Sequence, residues 1–274
     1  MTPPVANIAA YRFARLDDPG SLRAPIREWC ADAGLKGTVL LAEEGINAFL
    51  AGPREGIERV LEQLRGIPGL EGLKAKWSWS QAVPFKRLWV RVKPEIVTLR
   101  RDGFDRERAP APRVSPETLR RWLDAGHDDD GRQVTLLDTR NAWEVAAGTF
   151  EGAIDPGIAR FSQFAGRLED YSHLRDETVV TFCTGGIRCE KAAPLMREAG
   201  FGRVFQLDGG ILKYFEDCGG AHWRGDCVVF DDRQALRADL SPVVDAAPAL
   251  GARPAAHTAA GSPEATASVA VTPG

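Results

Sequence analysis

The chain has 274 residues, of which 44% are hydrophobic and 27% are charged, and its formal net charge is −3. These values are ordinary for a soluble globular protein and argue against a surface coated with basic residues. Five cysteines are too few, and odd in number, for the disulfide framework of a small secreted protein. The N-terminus lacks a secretory signal pattern, and no apolar run approaches the roughly 20 residues of a membrane span. We therefore expect a cytoplasmic protein of about two domains that has no membrane partner.

The N-terminal part of the chain alternates between strand and helix patterns. Period-two alternation of apolar residues predicts the strands, and helical periodicity predicts the helices. The predicted elements are a strand over 7–13, a helix over 21–33, strands over 37–42 and 46–51, a helix over 53–65, and strands over 74–80 and within 88–97. The β-α-β-β-α-β order of the first six is typical of a ferredoxin-like α+β domain, which we place at residues 1–100.

A different pattern begins after a charged, proline-containing segment, 101–113, which we interpret as a linker. Ser115 and Pro116 have the residue types of a helix cap and a first helical position. Strands predicted over 134–137, 178–182 and 204–207 alternate with helices over 142–147 and from Cys189 onward. This alternation favours an α/β domain with a parallel sheet covered on both faces, at 114–240. Residues 241–274 are rich in alanine and poor in bulky side chains, which predicts a disordered tail.

A buried strand ends at Cys183 in the stretch VVTFCTGGIRCEKA, and a predicted helix follows it. In a parallel sheet, ligands bind beyond the carboxyl ends of the strands. Glycines in such a loop let backbone N–H groups point at an anion, and the helix N-terminus and Arg188 add positive charge. Such surroundings typically lower a cysteine pKa from ~8.5 into the range ~3.5–7.5, so Cys183 is the candidate nucleophile. The candidate cradle around its sulfur consists of Thr184, Gly185, Gly186, Ile187 and Arg188.

Each candidate near this loop has a structural alternative. Cys183 has the residue type of an ordinary buried core cysteine. Cys189 is either a thiol that resolves a persulfide on Cys183 as a disulfide or a core residue of the first helical turn, and we favour the core role. Arg140 lies with Asp138 at the end of a neighbouring strand. It either holds an anion at the same rim or forms a local ion pair, and we favour the ion pair.

Positive charge is concentrated between Glu71 and Arg101, where eight basic and two acidic side chains give a local charge of +6. Tryptophan and phenylalanine are interleaved with the basic residues. Aromatic faces can stack on unpaired bases, and basic residues contact phosphates. We predict that Lys86 and Arg87, on the connection into the last N-terminal strand, contact RNA. The alternative is that 74–80 (KAKWSWS) is a half-buried strand with its tryptophans in the core and its lysines on a solvated face.

The cysteine loop and two flanking stretches resemble the rhodanese family. The stretches are LLDTRNAWEVAAGTFEGAI, residues 136–154, and LDGGILKYF, residues 207–215. The resemblance implies a rhodanese-like domain in which Cys183 carries a persulfide held by the loop amides. Four residues separate Cys183 from Arg188, one fewer than in the related phosphatases, so the loop is sized for sulfur rather than for phosphate.

Five stretches, in order along both domains, together resemble the tRNA uridine hydroxylase family. They are LKGTVLLAEEGINAFLAG, PFKRLWVRVKPEIVTL, GTFEGAIDP, CTGGIRCEKA and HWRGDCVVFDDR. The resemblance implies an acylphosphatase-like domain before a rhodanese domain. It also implies oxygen-dependent hydroxylation at C5 of the wobble uridine of tRNA, giving 5-hydroxyuridine. The partner would then be tRNA, through its anticodon loop, and the co-substrates would be molecular oxygen and an unidentified reductant.

The chain departs from that family after its FDDR stretch, which ends at Arg233. Many members continue into a cysteine-rich segment that looks able to bind metal, whereas this chain runs into its alanine-rich tail. Cys218, His222 and Cys227 lack a common zinc spacing, so we predict no metal site. We find no flavin or dinucleotide fingerprint and no iron-binding triad in the sequence, so we identify no cofactor.

Two other functions stay open on the residues alone. A persulfide sulfurtransferase would pass sulfur from Cys183 to a small thiol or to RNA, and it predicts thiocyanate formation from thiosulfate and cyanide. A non-catalytic RNA-binding rhodanese module would leave Cys183 idle, and it predicts that Cys183→Ser preserves cellular function.

Overall fold

The computed structural model describes residues 4–243. The predicted disordered tail, 241–274, lies outside the described residues except for its first three. Within residues 4–243, no helix is long and apolar enough to cross a membrane.

A mostly antiparallel sheet and two helices form the N-terminal domain. Its elements are β1 (Val5–Phe13), α1 (Pro19–Asp32), β2 (Lys36–Ala42), β3 (Gly45–Gly52), α2 (Arg54–Arg65), β4 (Lys74–Ser80) and β5 (Leu88–Val92). The strand order is β4-β1-β3-β2-β5, in which β5 runs parallel to β2 and the other neighbours are antiparallel. The predicted ferredoxin-like arrangement is confirmed, with β5 added at one edge of the sheet.

A parallel sheet forms the second domain. Its elements are β6 (Arg113–Val114), α3 (Pro116–Ala125), β7 (Val134–Asp138), α4 (Ala142–Ala147), β8 (Gly148–Phe150), β9 (Thr178–Phe182), α5 (Cys189–Glu198), β10 (Arg203–Leu207), α6 (Gly210–Cys218), β11 (Trp223–Gly225), β12 (Cys227–Val228) and β13 (Ala235–Leu236). The sheet order is β6-β10-β9-β7, with all neighbours parallel. The predicted α/β class with a parallel sheet is confirmed.

Local sequence explains most of these element boundaries. The Ser115 hydroxyl caps α3 by accepting from the backbone N–H of Thr118 at 3.2 Å, as its residue type predicts. Every residue of β9 is buried, because both faces of the parallel sheet are covered. The sequence pattern does not reveal a 3₁₀ segment over Phe161–Leu174, whose apolar side chains pack into the second domain's core.

The N-terminal sheet uses its two faces differently. Along β1, Ile8 and Ala10 belong to the hydrophobic core under α1 and α2. Asn7, Ala9 and Tyr11 point to the opposite side, because successive strand residues alternate between faces. That opposite face lies against the second domain and lines a cleft with it. Polar residues on it therefore lie in a domain interface rather than in open water.

Charged and polar contacts hold this face against the second domain. The Lys191 ammonium, on α5, donates to Glu44 at 2.9 Å and to Glu95 at 2.6 Å. Arg233 donates to the Ser78 hydroxyl at 2.8 Å. A buried lysine is costly unless it is paired, so these bonds favour one placement of the N-terminal domain on the helix that follows the cysteine loop.

Candidate active site

Cys183 lies in the loop that joins β9 to α5, and its side chain is 1% exposed. The backbone N–H of Gly186 donates to its Sγ at 3.1 Å. Gly186 has a φ of +92°, a conformation that L side chains rarely adopt, so the glycine is required for this donor to face the sulfur. The Thr184 hydroxyl donates to the carbonyl oxygen of Val228 at 3.3 Å and ties the loop to β12. The loop is therefore a fixed cradle around the sulfur.

Arg188, at the end of this cradle, forms an ion pair with Glu144 of α4. Its two terminal nitrogens donate to the carboxylate at 2.9 and 2.8 Å, and both side chains are buried. The guanidinium also lies over the Phe230 ring, 5.6 Å from its centroid. Sequence analysis does not single out Glu144, because Asn141 three residues before it gives the stretch the pattern of a helix capping box. The positive charge beside Cys183 is thus balanced by a buried carboxylate.

The surroundings of Cys183 favour its thiolate form. Burial by itself raises the pKa of the Cys183 thiol. Three other effects lower it: a hydrogen bond from Cys189, the positive charge of Arg188, and the backbone N–H groups of Arg188 and Gly186. Together they outweigh burial and lower the pKa of the Cys183 thiol to about 6. A thiol in this site is therefore largely ionised at neutral pH.

Cys189 is the neutral partner of that thiolate. It is fully buried, and its Sγ lies 3.6 Å from the Thr139 hydroxyl oxygen. Burial and the neighbouring Cys183 raise the pKa of Cys189 well above its usual value. Its position in the first turn of α5 is compatible both with a core role and with a resolving thiol.

Arg140 lies inside the second domain and does not line the cleft described below. It is 0% exposed and pairs with Asp138 at 2.6 Å. It also donates to the carbonyl oxygen of Gly148 at 2.6 Å and lies over the Trp223 ring. These contacts are those of the local ion pair, which is the role that we favour for Arg140.

A cleft between the two domains opens onto Cys183. The space in it that the centres of water-sized molecules can occupy is about 70 Å³, and the volume is about 920 Å³ when the open solvent at its mouth is counted. The cysteine loop and Phe230 form one wall, and the outer face of the N-terminal sheet forms the other. Phe49 and Phe230 face each other with ring centroids 6.4 Å apart. Residues of the N-terminal wall include Asn7, Ala9, Tyr11, Phe49, Lys76 and Phe85. Such a cleft, mostly apolar with a few polar groups and set at a domain interface, is typical of a small-molecule site.

Lys76 enters this cleft from β4 and contacts the cysteine loop. Its Nζ donates to the carbonyl oxygen of Gly185 at 2.8 Å and lies 5.1 Å from the centroid of the Tyr11 ring. Burial lowers the pKa of Lys76, while attraction to a Cys183 thiolate raises it. The alternative of a solvated lysine face on β4 is therefore wrong for Lys76, which is half-buried against the second domain, whereas Lys74 is exposed as that alternative predicts.

Tyr11 is a second residue of this wall that sequence analysis does not single out. Its hydroxyl donates to a carboxylate oxygen of Glu190 at 3.4 Å. Burial and the negative charge of Glu190 raise the pKa of the Tyr11 hydroxyl well above its usual value. Strand alternation along β1 places Tyr11 opposite the core, but no local pattern reveals that a second domain lies there.

Lys86 and Arg87 are exposed and follow Phe85, which lines the cleft. Trp89, in β5, is 45% exposed and has the Arg91 guanidinium 4.4 Å from its ring centroid. The predicted RNA contacts therefore directly follow a residue of the cleft lining in the chain, and an exposed tryptophan follows them in β5.

The two tryptophans of β4 are placed differently. Trp77 packs against the N-terminal core, as the half-buried strand pattern predicts. Trp79 is 42% exposed, so it does not belong to that core.

The three residues weighed as metal ligands are not gathered into one site. The His222 imidazole Nε2 lies 2.7 Å from a carboxylate oxygen of Asp124. Cys227 is buried, and burial raises its pKa to about 12. Among residues 4–243, no group of three or more His, Cys, Asp or Glu side chains is arranged to hold a metal ion.

Two family models match the chain. The UPF0176 acylphosphatase-like domain matches residues 5–96, and the rhodanese-like domain matches residues 115–217. A tRNA uridine(34) hydroxylase of Cupriavidus taiwanensis is 54% identical over 239 residues, which are 87% of this chain and 85% of the relative. A protein of the same name from Bordetella petrii is 54% identical over 241 residues, or 88% of this chain and 96% of the relative.

The second domain also resembles solved structures. A rhodanese-like domain from Anabaena is 22% identical and covers 42% of this chain and 79% of its own, with a TM-score of 0.34.

Proposed function

Because the chain belongs to the tRNA uridine(34) hydroxylase family, we propose that it hydroxylates C5 of the wobble uridine of tRNA in the cytoplasm, giving 5-hydroxyuridine. One observation links the proposed reaction to particular residues. A thiolate at Cys183 forms part of a cleft between the two domains, and two exposed basic residues, Lys86 and Arg87, directly follow Phe85, which lines that cleft.

Cys183 is the catalytic group in this proposal. The N–H of Gly186 and the charge of Arg188 favour the anionic sulfur, and the ion pair with Glu144 holds Arg188 in position. Thr184, Gly185 and Ile187 complete the cradle that holds it at the floor of the cleft. A fixed thiolate needs no neighbouring general base, so it acts as a nucleophile without a Cys–His pair.

The anticodon loop of tRNA is the proposed partner surface. Its bases are unpaired, and a single uridine can turn out of the loop into the cleft. In this proposal Lys86 and Arg87, which are exposed, contact phosphates of the anticodon loop. Phe85 precedes them in the chain and lines the cleft, so the phosphate contacts and the base site are joined by one short segment.

Molecular oxygen and a reductant are the proposed co-substrates. One oxygen atom enters the C5–H position of uridine as a hydroxyl. The other leaves as water, which requires two protons and two electrons from the reductant. The reaction therefore balances: uridine, dioxygen and two hydrogen atoms from the reductant give 5-hydroxyuridine and water.

A persulfide sulfurtransferase is the second candidate, and the size of the cradle favours it. Four residues lie between Cys183 and Arg188, and the Gly186 N–H is aimed at the sulfur. Incubation with thiosulfate and cyanide tests this activity through thiocyanate formation, which Cys183→Ser abolishes if the activity is present.

The deciding experiment measures tRNA nucleosides by mass spectrometry in cells that lack this gene. The cells are complemented with the wild-type protein or with Cys183→Ser. We expect 5-hydroxyuridine or its derivatives to return with the wild type and not with the variant. If deletion of the gene instead lowers the amount of a thiolated nucleoside and leaves 5-hydroxyuridine unchanged, sulfur transfer becomes the favoured function. If neither nucleoside changes, the hydroxylase proposal fails.

A further inference from the structure

Lys76 has N–H donors beyond the one that bonds to the cysteine loop, and it lines the same cleft as Cys183. A lysine ammonium has three N–H donors. Among residues 4–243, its described hydrogen bond is the one to the carbonyl oxygen of Gly185 at 2.8 Å. Lys76 and Cys183 line the same cleft from opposite domains. A ligand between them therefore meets a cation on one side and a nucleophile on the other.

Asn7 supplies an unmatched acceptor on the same wall as Lys76. Its side chain is 2% exposed, and its Nδ2 donates to the Ser80 hydroxyl at 2.9 Å. Its Oδ1 is buried and has no hydrogen-bond partner among the described residues. A buried acceptor without a partner is costly, so it suits a site that a donor fills when a ligand binds.

The small side chain of Ala9 leaves room between these two groups. Ala9 lies between Asn7 and Tyr11 along β1, on the face that lines the cleft. Its cross-strand neighbours are Lys76 on β4 and Phe49 on β3. The result is a recess with an acceptor, a cation and an aromatic ring around an alanine methyl group.

Uracil matches the order of these groups. Its N3–H is a donor and its neighbouring O4 is an acceptor, which fits the Asn7 Oδ1 and the Lys76 ammonium. C6 lies across the ring from N3. When the N3–O4 edge meets the N-terminal sheet, the C6 side of the ring faces the cysteine loop of the other domain.

We propose that Cys183 and Lys76 act together on the uracil ring: the Cys183 thiolate adds to C6, and Lys76 stabilises the negative charge that develops on O4. Asn7 orients the ring by accepting from N3–H. This inference rests on the proposed uridine substrate. A cation fixed where charge develops lowers the barrier, because it needs no reorganisation during the reaction.

The electrons balance at each step. The sulfur lone pair forms the S–C6 bond, and the C5=C6 pair moves to give an enolate on C5 and O4. The enolate combines with dioxygen and a proton to give a C5 hydroperoxide. Two equivalents of a thiol reduce it to the C5 alcohol, releasing water and a disulfide. Loss of the C5 proton then breaks the S–C6 bond, which restores C5=C6 and the Cys183 thiolate.

The addition step can be measured without oxygen. In oxygen-free D2O, an enolate at C5 takes deuterium from solvent, and reversal of the addition leaves deuterium on C5. The full chain is incubated with an unmodified tRNA transcript that has uridine at the wobble position, and the uridine is analysed by mass spectrometry. We expect exchange at that uridine with the wild type and none with Cys183→Ser.

Variants on β4 and β1 assign the roles. Lys76→Met is expected to slow exchange at least about tenfold, as removal of one donor from a developing oxyanion does. Lys76→Arg, which keeps the charge, recovers part of the rate. Lys74→Met is the matched control, because Lys74 is an exposed lysine two residues away on the same strand, and it should exchange at the wild-type rate. Asn7→Leu is expected to slow exchange at low tRNA concentration and not at saturation.

A second readout reports on Lys76 without tRNA. Removing its positive charge raises the pKa of the Cys183 thiol, so Lys76→Met should shift the pH profile of iodoacetamide alkylation upward. Lys74→Met should leave the profile unchanged. A folded Lys76→Met protein that retains the wild-type profile and exchange rate overturns the role of Lys76.

The outcomes separate this inference from the proposed function. If the wild type forms 5-hydroxyuridine in air but shows no exchange without oxygen, the addition step is wrong and the function stands. If exchange occurs but no 5-hydroxyuridine forms in air with a thiol present, the proposed function is wrong and the addition stands. If neither occurs, both are wrong.

Discussion

Arg188 and Glu144 form a buried two-bond ion pair, with nitrogen to oxygen distances of 2.9 and 2.8 Å, directly behind the cysteine loop. The pair sets how much positive charge Cys183 experiences. Arg188 favours the thiolate, and Glu144 opposes part of that effect while it keeps a buried guanidinium from being unpaired. The chemistry of the loop is therefore set by an element, α4, that lies about forty residues earlier in the chain.

Glu144→Gln tests that balance. The amide keeps the shape of the side chain but removes the negative charge, so Arg188 acts more strongly on Cys183 and the pKa of the thiol falls further. The buried guanidinium loses its counter-charge, which is expected to lower the free energy of unfolding by about 3 kcal/mol. Iodoacetamide alkylation against pH measures the first effect, and urea unfolding measures the second. An upward shift of the alkylation profile would contradict the role given to Glu144.

The alkylation rate of Cys183 should depend on pH in a defined direction. The thiolate is the reactive form, and burial is outweighed by hydrogen bonds and the Arg188 charge that lower the pKa to about 6. We expect a plateau above neutral pH and a fall of about tenfold per pH unit well below the pKa. Peptide mapping assigns the modified cysteine. Cys30 is the internal control, because burial raises its pKa to about 12 and it should stay unmodified in the folded protein. An inflection for Cys183 near that of a free cysteine, ~8.5, would contradict the predicted thiolate.

Lys86→Ala and Arg87→Ala should weaken tRNA binding without changing the chemistry. Each removes one exposed positive charge next to Phe85 of the cleft lining, so each should raise KM and leave kcat unchanged. The salt dependence of tRNA binding should lose about one unit of slope per residue. Lys36→Ala is the matched control, since Lys36 is an exposed lysine on β2 of the same sheet. If Lys36→Ala has an equal effect, contact at Lys86 and Arg87 is not specific.

Lys191→Met should weaken the interface between the two domains. The ammonium is buried and donates to Glu44 and Glu95 of the N-terminal domain, so the variant leaves two carboxylates without their partner. We expect a loss of about 3–5 kcal/mol in urea unfolding and faster proteolysis within 101–113. Lys213→Met removes a half-exposed helix pair with Asp217 and should cost less than about 1 kcal/mol. Equal free energies of unfolding for the two variants would show that Lys191 does not stabilise the interface between the domains.

Sequence by itself determined many of the helices and strands and the chemistry of the loop. Local periodicity predicts the strand over 178–182, the helix that begins at Cys189 and the strand over 74–80. The structure has all three at those positions. The glycines and Arg188 that follow Cys183 are adjacent in the chain, so their effect on a thiol can be inferred from spacing alone. Side-chain alternation even assigns Asn7 and Lys76 to the face opposite the core.

Only the tertiary structure decided what that face meets. Lys76 contacts Gly185 across 109 residues of chain, and Arg188 contacts Glu144 across 44. Neither pair leaves a local pattern, because a polar residue on a strand face has the same periodicity whether water or another domain covers it. Domain packing brought a lysine with the pattern of a solvated residue into contact with the cysteine loop. The second domain covers part of its side chain and supplies the Gly185 carbonyl oxygen as its hydrogen-bond partner.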